Sequence, residues 1–165
     1  MEAITGKVWK YGDDVNTDVI FPGKYTYTLT DPAEMAKVAL EDLDPDFAPG
    51  VQQNDIIVAG SNFGCGSSRE QGATVLVYAG VGAVVARSFS RLFFRNAINA
   101  GLPLVQSAEA VAAVEKGEEV TVDVENGKVV TPAGTFDFPP LPAAVIGIFE
   151  SGGLIPHTRK VLGIE

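Results

Sequence analysis

Apolar residues in this chain fall into short, unbroken runs separated by glycine-, proline- and acid-rich turns, a pattern that predicts buried strands alternating with helices. Ile4 to Trp9 predicts a first strand, followed by the acidic loop Tyr11-Gly12-Asp13-Asp14-Val15-Asn16-Thr17-Asp18. A short segment from Val19 to Gly23 then ends at a turn. Asp31-Pro32 with Glu34 has the chemistry of an N-cap and first helical position, and Met35, Val38, Ala39 and Leu43 supply an apolar helix face. Pro49-Gly50 is expected to be a loop. Beyond it come a strand from Asp55 to Ala59, a glycine-rich loop, and a helix from about Arg69 to Tyr78. Val81 to Ala86 predicts a second buried strand. Ser88 or Ser90 should cap a helix over Arg91 to Ala100 that Gly101 closes, and Leu102 to Val105 reads as a further strand.

Strand, helix, strand, helix, strand is the signature of parallel βαβ units. After Ala108 the character changes. Val120 to Val124 and Val129 to Thr131 flank Asn126-Gly127, a hairpin signal, and Phe136 to Pro142 leads into an apolar helix, Ala143 to Glu150, stopped by Gly152-Gly153. The expectation is one α/β domain over residues 1–165: a mainly parallel βαβ core with an added antiparallel hairpin, without repeats.

At 165 residues and 46% hydrophobic, the chain is long enough for a real core. Its net charge of −9, with no run of Lys or Arg, argues against nucleic acid as a partner, since that affinity rests on clustered cations. No apolar stretch reaches membrane-spanning length and the first residues lack the features of a secretory signal, so a cytoplasmic protein with no membrane partner is expected. The single cysteine, Cys65, cannot form an internal disulfide and cannot by itself hold zinc or an iron-sulfur cluster.

The chemistry concentrates in Gly64-Cys65-Gly66-Ser67-Ser68-Arg69-Glu70. A strand that stops at a glycine turn and restarts as a helix leaves backbone N–H groups facing outward, which attracts carboxylate or phosphate. Gly60, Gly64 and Gly66 allow positive φ and a close backbone approach, and Arg69 adds a fork of donors matched to a carboxylate. Ser67 and Glu70 also have the spacing of a capping box, and on spacing alone capping is the commoner use of such a serine. The spacing fits no P-loop, dinucleotide fingerprint or nucleophile elbow. Arg87, Arg91 and Arg95 either reinforce the anion site or pair with the surplus of acids. Asp13, Asp14 and Asp18 match no calcium loop and read as turn and cap residues. His157, before a short C-terminal helix, reads as structural or interfacial.

Three ordered motifs carry a resemblance that runs over essentially the whole chain: Val8 to Ile20, Asn62 to Glu70, and Arg87 to Asn96. Together they resemble the small subunits of 3-isopropylmalate dehydratase, free-standing counterparts of the aconitase swivelling domain. The resemblance implies that fold and a large-subunit partner carrying a 4Fe-4S cluster on three cysteines, with the stoichiometry of any higher assembly left open. It implies a small dicarboxylate substrate. By the same match Ser67 is the base that takes a proton from the carbon next to a substrate carboxylate, Arg69 clamps a carboxylate, and Ser68 assists through hydrogen bonding. A serine is a poor base in water, so this role demands a site dense in N–H donors and cations and closed to solvent.

Relatives place the loop that reads the substrate's variable group at Lys24-Tyr25-Thr26-Tyr27-Thr28, and Tyr25, Thr26, Tyr27 and Thr28 with Gly66 and Arg69 form the implied binding set. Homoaconitase-like relatives carry an arginine there and isopropylmalate enzymes an apolar pair; this chain has neither. Tyr27 in the arginine slot would leave a third carboxylate unpaired, which favours a dicarboxylate with a small apolar branch. Isopropylmalate leads, with dimethylmalate, citraconate and maleate hydration as alternatives, and with a homoaconitase-type tricarboxylate as a further one if Lys24 reaches the distal charge. A non-catalytic anion-binding module is the reading from another class.

Overall fold

Ile56–Ala59 (β2) and Ala83–Ala86 (β3) are apolar at every position because both faces of each strand are covered. In the computed structural model, which describes residues 1–164, these two strands pair in parallel. Ile4–Lys10 (β1) lies parallel beside β2, and Leu104–Gln106 (β4) parallel beside β3. On the other side of β1, Glu119–Asp123 (β5) runs antiparallel, followed by Lys128–Thr131 (β6) and Gly134–Asp137 (β7). The sheet order is therefore β4-β3-β2-β1-β5-β6-β7. The antiparallel addition is thus three strands, one more than the expected hairpin, and Phe136 belongs to β7 and not to the approach to a helix.

Side chains alternate between two cores, as the period of a strand requires. Ile57, Ala59, Val84 and Ala86 pack with Phe21, Phe47, Phe63, Leu76 and Phe93 on one face. Ile56, Val58, Ala83 and Val85 pack with Val111, Val122, Phe138 and Phe149 on the other.

The helices are Thr17–Ile20 (α1), Pro32–Ala36 (α2), Phe47–Gly50 (α3), Gln71–Tyr78 (α4), Arg91–Ala100 (α5), Ala108–Ala113 (α6), Ala143–Glu150 (α7) and Leu154–Leu162 (α8). Asp31 caps α2 by accepting from the Glu34 amide, as its sequence predicts. That helix ends before the expected apolar face is complete. Leu40 adopts a left-handed φ of 57°, fully buried with its N–H donating to Ile20 O at 2.9 Å, and Leu43 is left 44% exposed. Burial and one tertiary hydrogen bond outweigh the helical preference there. Pro49-Gly50, expected as a loop, closes the single turn α3, whose Phe47 plugs the core. Ser90, and not Ser88, caps α5, and Gly101 at φ 81° ends it. Among the described residues no helix is long and apolar enough to cross a membrane.

The carboxyl ends of β1, β2 and β3 open onto three loops that are stitched together. Gly60 N–H donates to Gly12 O at 3.0 Å, Arg87 N–H to Gly60 O at 3.1 Å, and Phe63 N–H to Ser88 O at 3.0 Å. In an open parallel sheet this edge is where ligands gather.

Candidate active site

Gly64 is the pivot of the loop after β2. Its φ is 79°, and a Cβ there would fall 2.1 Å from the Phe93 ring, so only glycine lets the loop turn over α5. Gly66 also has positive φ. Gly60 does not use that freedom; it leaves room for Asp13, whose Oδ1 would lie 1.9 Å from an added Cβ. The loop then zips onto the segment after β1, with Gly64 N–H on Val15 O at 2.7 Å and Thr17 N–H on Cys65 O at 2.9 Å.

The turn presents Ser67 and Ser68 to solvent and leaves Arg69 half-buried. Helix α4 starts only at Gln71, and its first turn receives no side-chain cap, so Ser67 is not a capping residue. Its hydroxyl instead sits 2.9 Å from Thr17 Oγ1 and accepts from Arg69 Nε at 3.1 Å. Thr17 is 1% exposed and also donates to the Ser67 carbonyl oxygen at 2.9 Å. Among the described residues, the amides of Ser67, Ser68, Arg69, Glu70 and Gln71 meet no protein acceptor. Unpaired amides at a helix start, beside a guanidinium, are the donors an oxyanion needs.

Arg69 is held on every side. One terminal nitrogen donates to Thr26 Oγ1; the other pairs with Asp18 and donates to Phe21 O at 3.3 Å. Thr26 in turn donates to Gly23 O at 2.8 Å. Ser68 is anchored by its carbonyl, which accepts from Asn96 on α5 at 3.0 Å, leaving its hydroxyl free.

Of the Tyr25 to Thr28 segment, only Thr26 reaches Arg69. Tyr25 turns toward the core against Phe21, and hydrogen bonding to Glu41, then burial, pushes its phenol up. Lys24 is engaged by Glu41 at 3.1 Å and is not aimed at the site. Thr28 is exposed, and Tyr27, 95% exposed, projects free of the chain. A cavity of about 320 Å³ lies beside Thr26, between Leu29, Glu70, Thr74 and Tyr78. Ser67 is outside it, on an open face.

The acidic loop serves as a set of latches. Asp13 accepts from the Ser61 amide at 2.7 Å and Asp14 from the Asn62 side chain at 3.0 Å, while Asn16 caps α1. No group of three metal-binding side chains occurs among the described residues. Cys65 is half-buried, and burial followed by the neighbouring Asp14 charge pushes its thiol up. Arg87, Arg91 and Arg95 are exposed and form no ion pair among the described residues, so the expected pairing with acids is absent. His157 lies inside α8, not before it, with Nδ1 3.2 Å from Ser151 Oγ and its ring over Gly147, a helix-to-helix contact.

Sequence reasoning missed Thr17 and the hold of Asp18 on Arg69. Both are long-range contacts, spanning 50 and 51 positions, for which spacing gives no signal.

Residues 16–109 match the model of the aconitase C-terminal domain. A 3-isopropylmalate dehydratase small subunit of Moorella thermoacetica is 48% identical over 161 residues, covering 96% of each chain. One of Caldicellulosiruptor bescii is 51% identical over 159 residues, covering 95% of each. A crystal structure of 3-isopropylmalate dehydratase from Methanocaldococcus jannaschii superposes with a TM-score of 0.89 at 38% identity, covering 98% of each chain.

Proposed function

The chain belongs to the family of 3-isopropylmalate dehydratase small subunits, and from that membership we propose that, with a large subunit, it interconverts 2- and 3-isopropylmalate by reversible dehydration and hydration in leucine biosynthesis. It is a hydro-lyase of the aconitase family. The observation that carries the reading is Ser67: it is exposed to an incoming partner, its hydroxyl is held between Thr17 Oγ1 and Arg69 Nε, and the amides from Ser67 to Gln71 are unpaired among the described residues.

In dehydration the Ser67 oxygen, as alkoxide, takes the proton from the carbon next to a substrate carboxylate. The electrons of that C–H bond become the double bond, and the hydroxyl leaves the adjacent carbon with its own pair. In hydration Ser67 returns the proton. A 4Fe-4S cluster on the large subunit, when bound, supplies a Lewis acid for the departing hydroxyl. A single cysteine, Cys65, is too few to hold such a cluster, which supports placing it outside this chain. Arg69 neutralises a carboxylate, the amides from Ser67 to Gln71 add dipoles of the same sign, and the Ser68 hydroxyl completes the set. Because Ser67 faces solvent, the large subunit must close over it before an alkoxide becomes accessible.

Substrate choice follows from what the Tyr25 to Thr28 segment lacks. Tyr27 offers an aromatic face without a cation, and Lys24 is spent on Glu41, so a third carboxylate would be buried unpaired. With its large subunit and an intact cluster, the protein should turn over 3-isopropylmalate faster than homocitrate. The reverse order in a steady-state comparison would overturn the substrate assignment.

A further inference from the structure

The hydroxyl of Thr17 sits 2.9 Å from the Ser67 carbonyl oxygen and 2.9 Å from Ser67 Oγ, and it has only one proton for the two. We propose that Thr17 is a positioning residue for the base: its proton turns from the Ser67 carbonyl to Ser67 Oγ when that oxygen loses its own proton. The inference rests on the reading of Ser67 as the base and adds a second side-chain donor to Arg69 Nε, which lies 3.1 Å away.

While Ser67 is protonated, the carbonyl is the natural acceptor for Thr17, and the two hydroxyls meet with Ser67 donating. When Ser67 gives its proton to the substrate carbon, as in hydration, it is left an oxygen that only accepts, and its charge makes it the stronger acceptor of the two. The change is a rotation about the Thr17 Cβ–Oγ1 bond and moves no heavy atom. When the alkoxide takes the substrate's proton, Ser67 is neutral again and the Thr17 proton returns to the carbonyl. Thr17 neither gains nor loses a proton over the cycle.

The surroundings suit this use. Thr17 is 1% exposed, so water does not compete for its proton. Its backbone N–H is fixed on Cys65 O at 2.9 Å. Its methyl rests against Gly72, where an added Cβ would come 3.1 Å from Thr17 Cγ2, so the rotamer is fixed by close packing on α4. A hydroxyl needed only to brace the loop would be served by its bond to the carbonyl; the second contact, to the reacting oxygen, goes unused by that role.

The test uses the complex with its large subunit and compares Thr17→Val, Thr17→Ser and Thr17→Ala, with Ser67→Ala as reference. Thr17→Val keeps the shape and removes the donor; kcat should fall about 100-fold, the low end of the range for losing one oxyanion donor because Arg69 Nε remains, with KM within about twofold. Thr17→Ser should restore most of kcat. If Thr17→Val does not assemble, Thr17→Ser against Thr17→Ala isolates the hydroxyl, since both lack the methyl. A Thr17→Val kcat within about twofold of the parent, or Thr17→Ser falling as far as Thr17→Val, overturns the inference. Those results alongside an inactive Ser67→Ala leave the base assignment standing; an active Ser67→Ala removes both.

Discussion

Asp18 takes one terminal nitrogen of Arg69, the same guanidinium whose Nε donates to Ser67 Oγ at 3.1 Å. The aspartate is the more exposed partner, at 63% against 21%, so the pair adds little to stability and its effect falls on where Arg69 points and how much charge it shows.

Asp18→Asn should therefore leave thermal unfolding nearly unchanged and alter kinetics in two opposed ways. Removing the carboxylate frees charge on Arg69 for the substrate, so KM should fall. Loosening the strut that aims Nε at Ser67 should lower kcat by about tenfold. Steady-state kinetics on the reconstituted complex separates the two effects. A higher KM with unchanged kcat would contradict this account of the pair.

Gly64→Ala tests the loop's geometry on the isolated chain. The substitution forces a Cβ into the Phe93 ring at a φ of 79° and should cost about 3 kcal/mol, lowering the melting temperature by roughly 6–12 °C. A loss of under about 1 kcal/mol would mean the loop moves freely off α5.

Cys65 gives a pH signature. Burial, then the Asp14 charge, raises its pKa above the ordinary value, so less thiolate exists at neutral pH and alkylation by iodoacetamide should be slow there. Its rate should keep climbing at pH values where an ordinary thiol has levelled off. Asp14→Asn removes the second cause, so the profile should move toward lower pH. A profile that the substitution leaves in place would show that the Asp14 charge does not reach the thiol.

The strands at the centre of the sheet and helices α4 and α5 were legible because burial on both faces writes continuous apolar runs, and because Ser90 and Gly101 mark the ends of α5 by local chemistry. What local signals do not encode was missed. Strand β7 is mostly exposed and shows no alternation, α1 is four residues long, and α6 is announced only by the Ser107 cap. The site divides in the same way. Gly64 to Arg69 stands out by composition, but the capping-box spacing of Ser67 and Glu70 misleads, because Thr17 and Arg69 hold the Ser67 hydroxyl away from the start of α4.

Whether that hydroxyl is the base is decided by Ser67→Ala. The buried Thr17 keeps the Ser67 carbonyl as its acceptor, so no polar group is orphaned and the isolated chain should unfold within about 1 kcal/mol of the parent. Assembled with its large subunit and supplied with 3-isopropylmalate, the variant should bind substrate and lose turnover by about a thousandfold or more. Turnover within about tenfold of the parent would assign the proton transfer to another group.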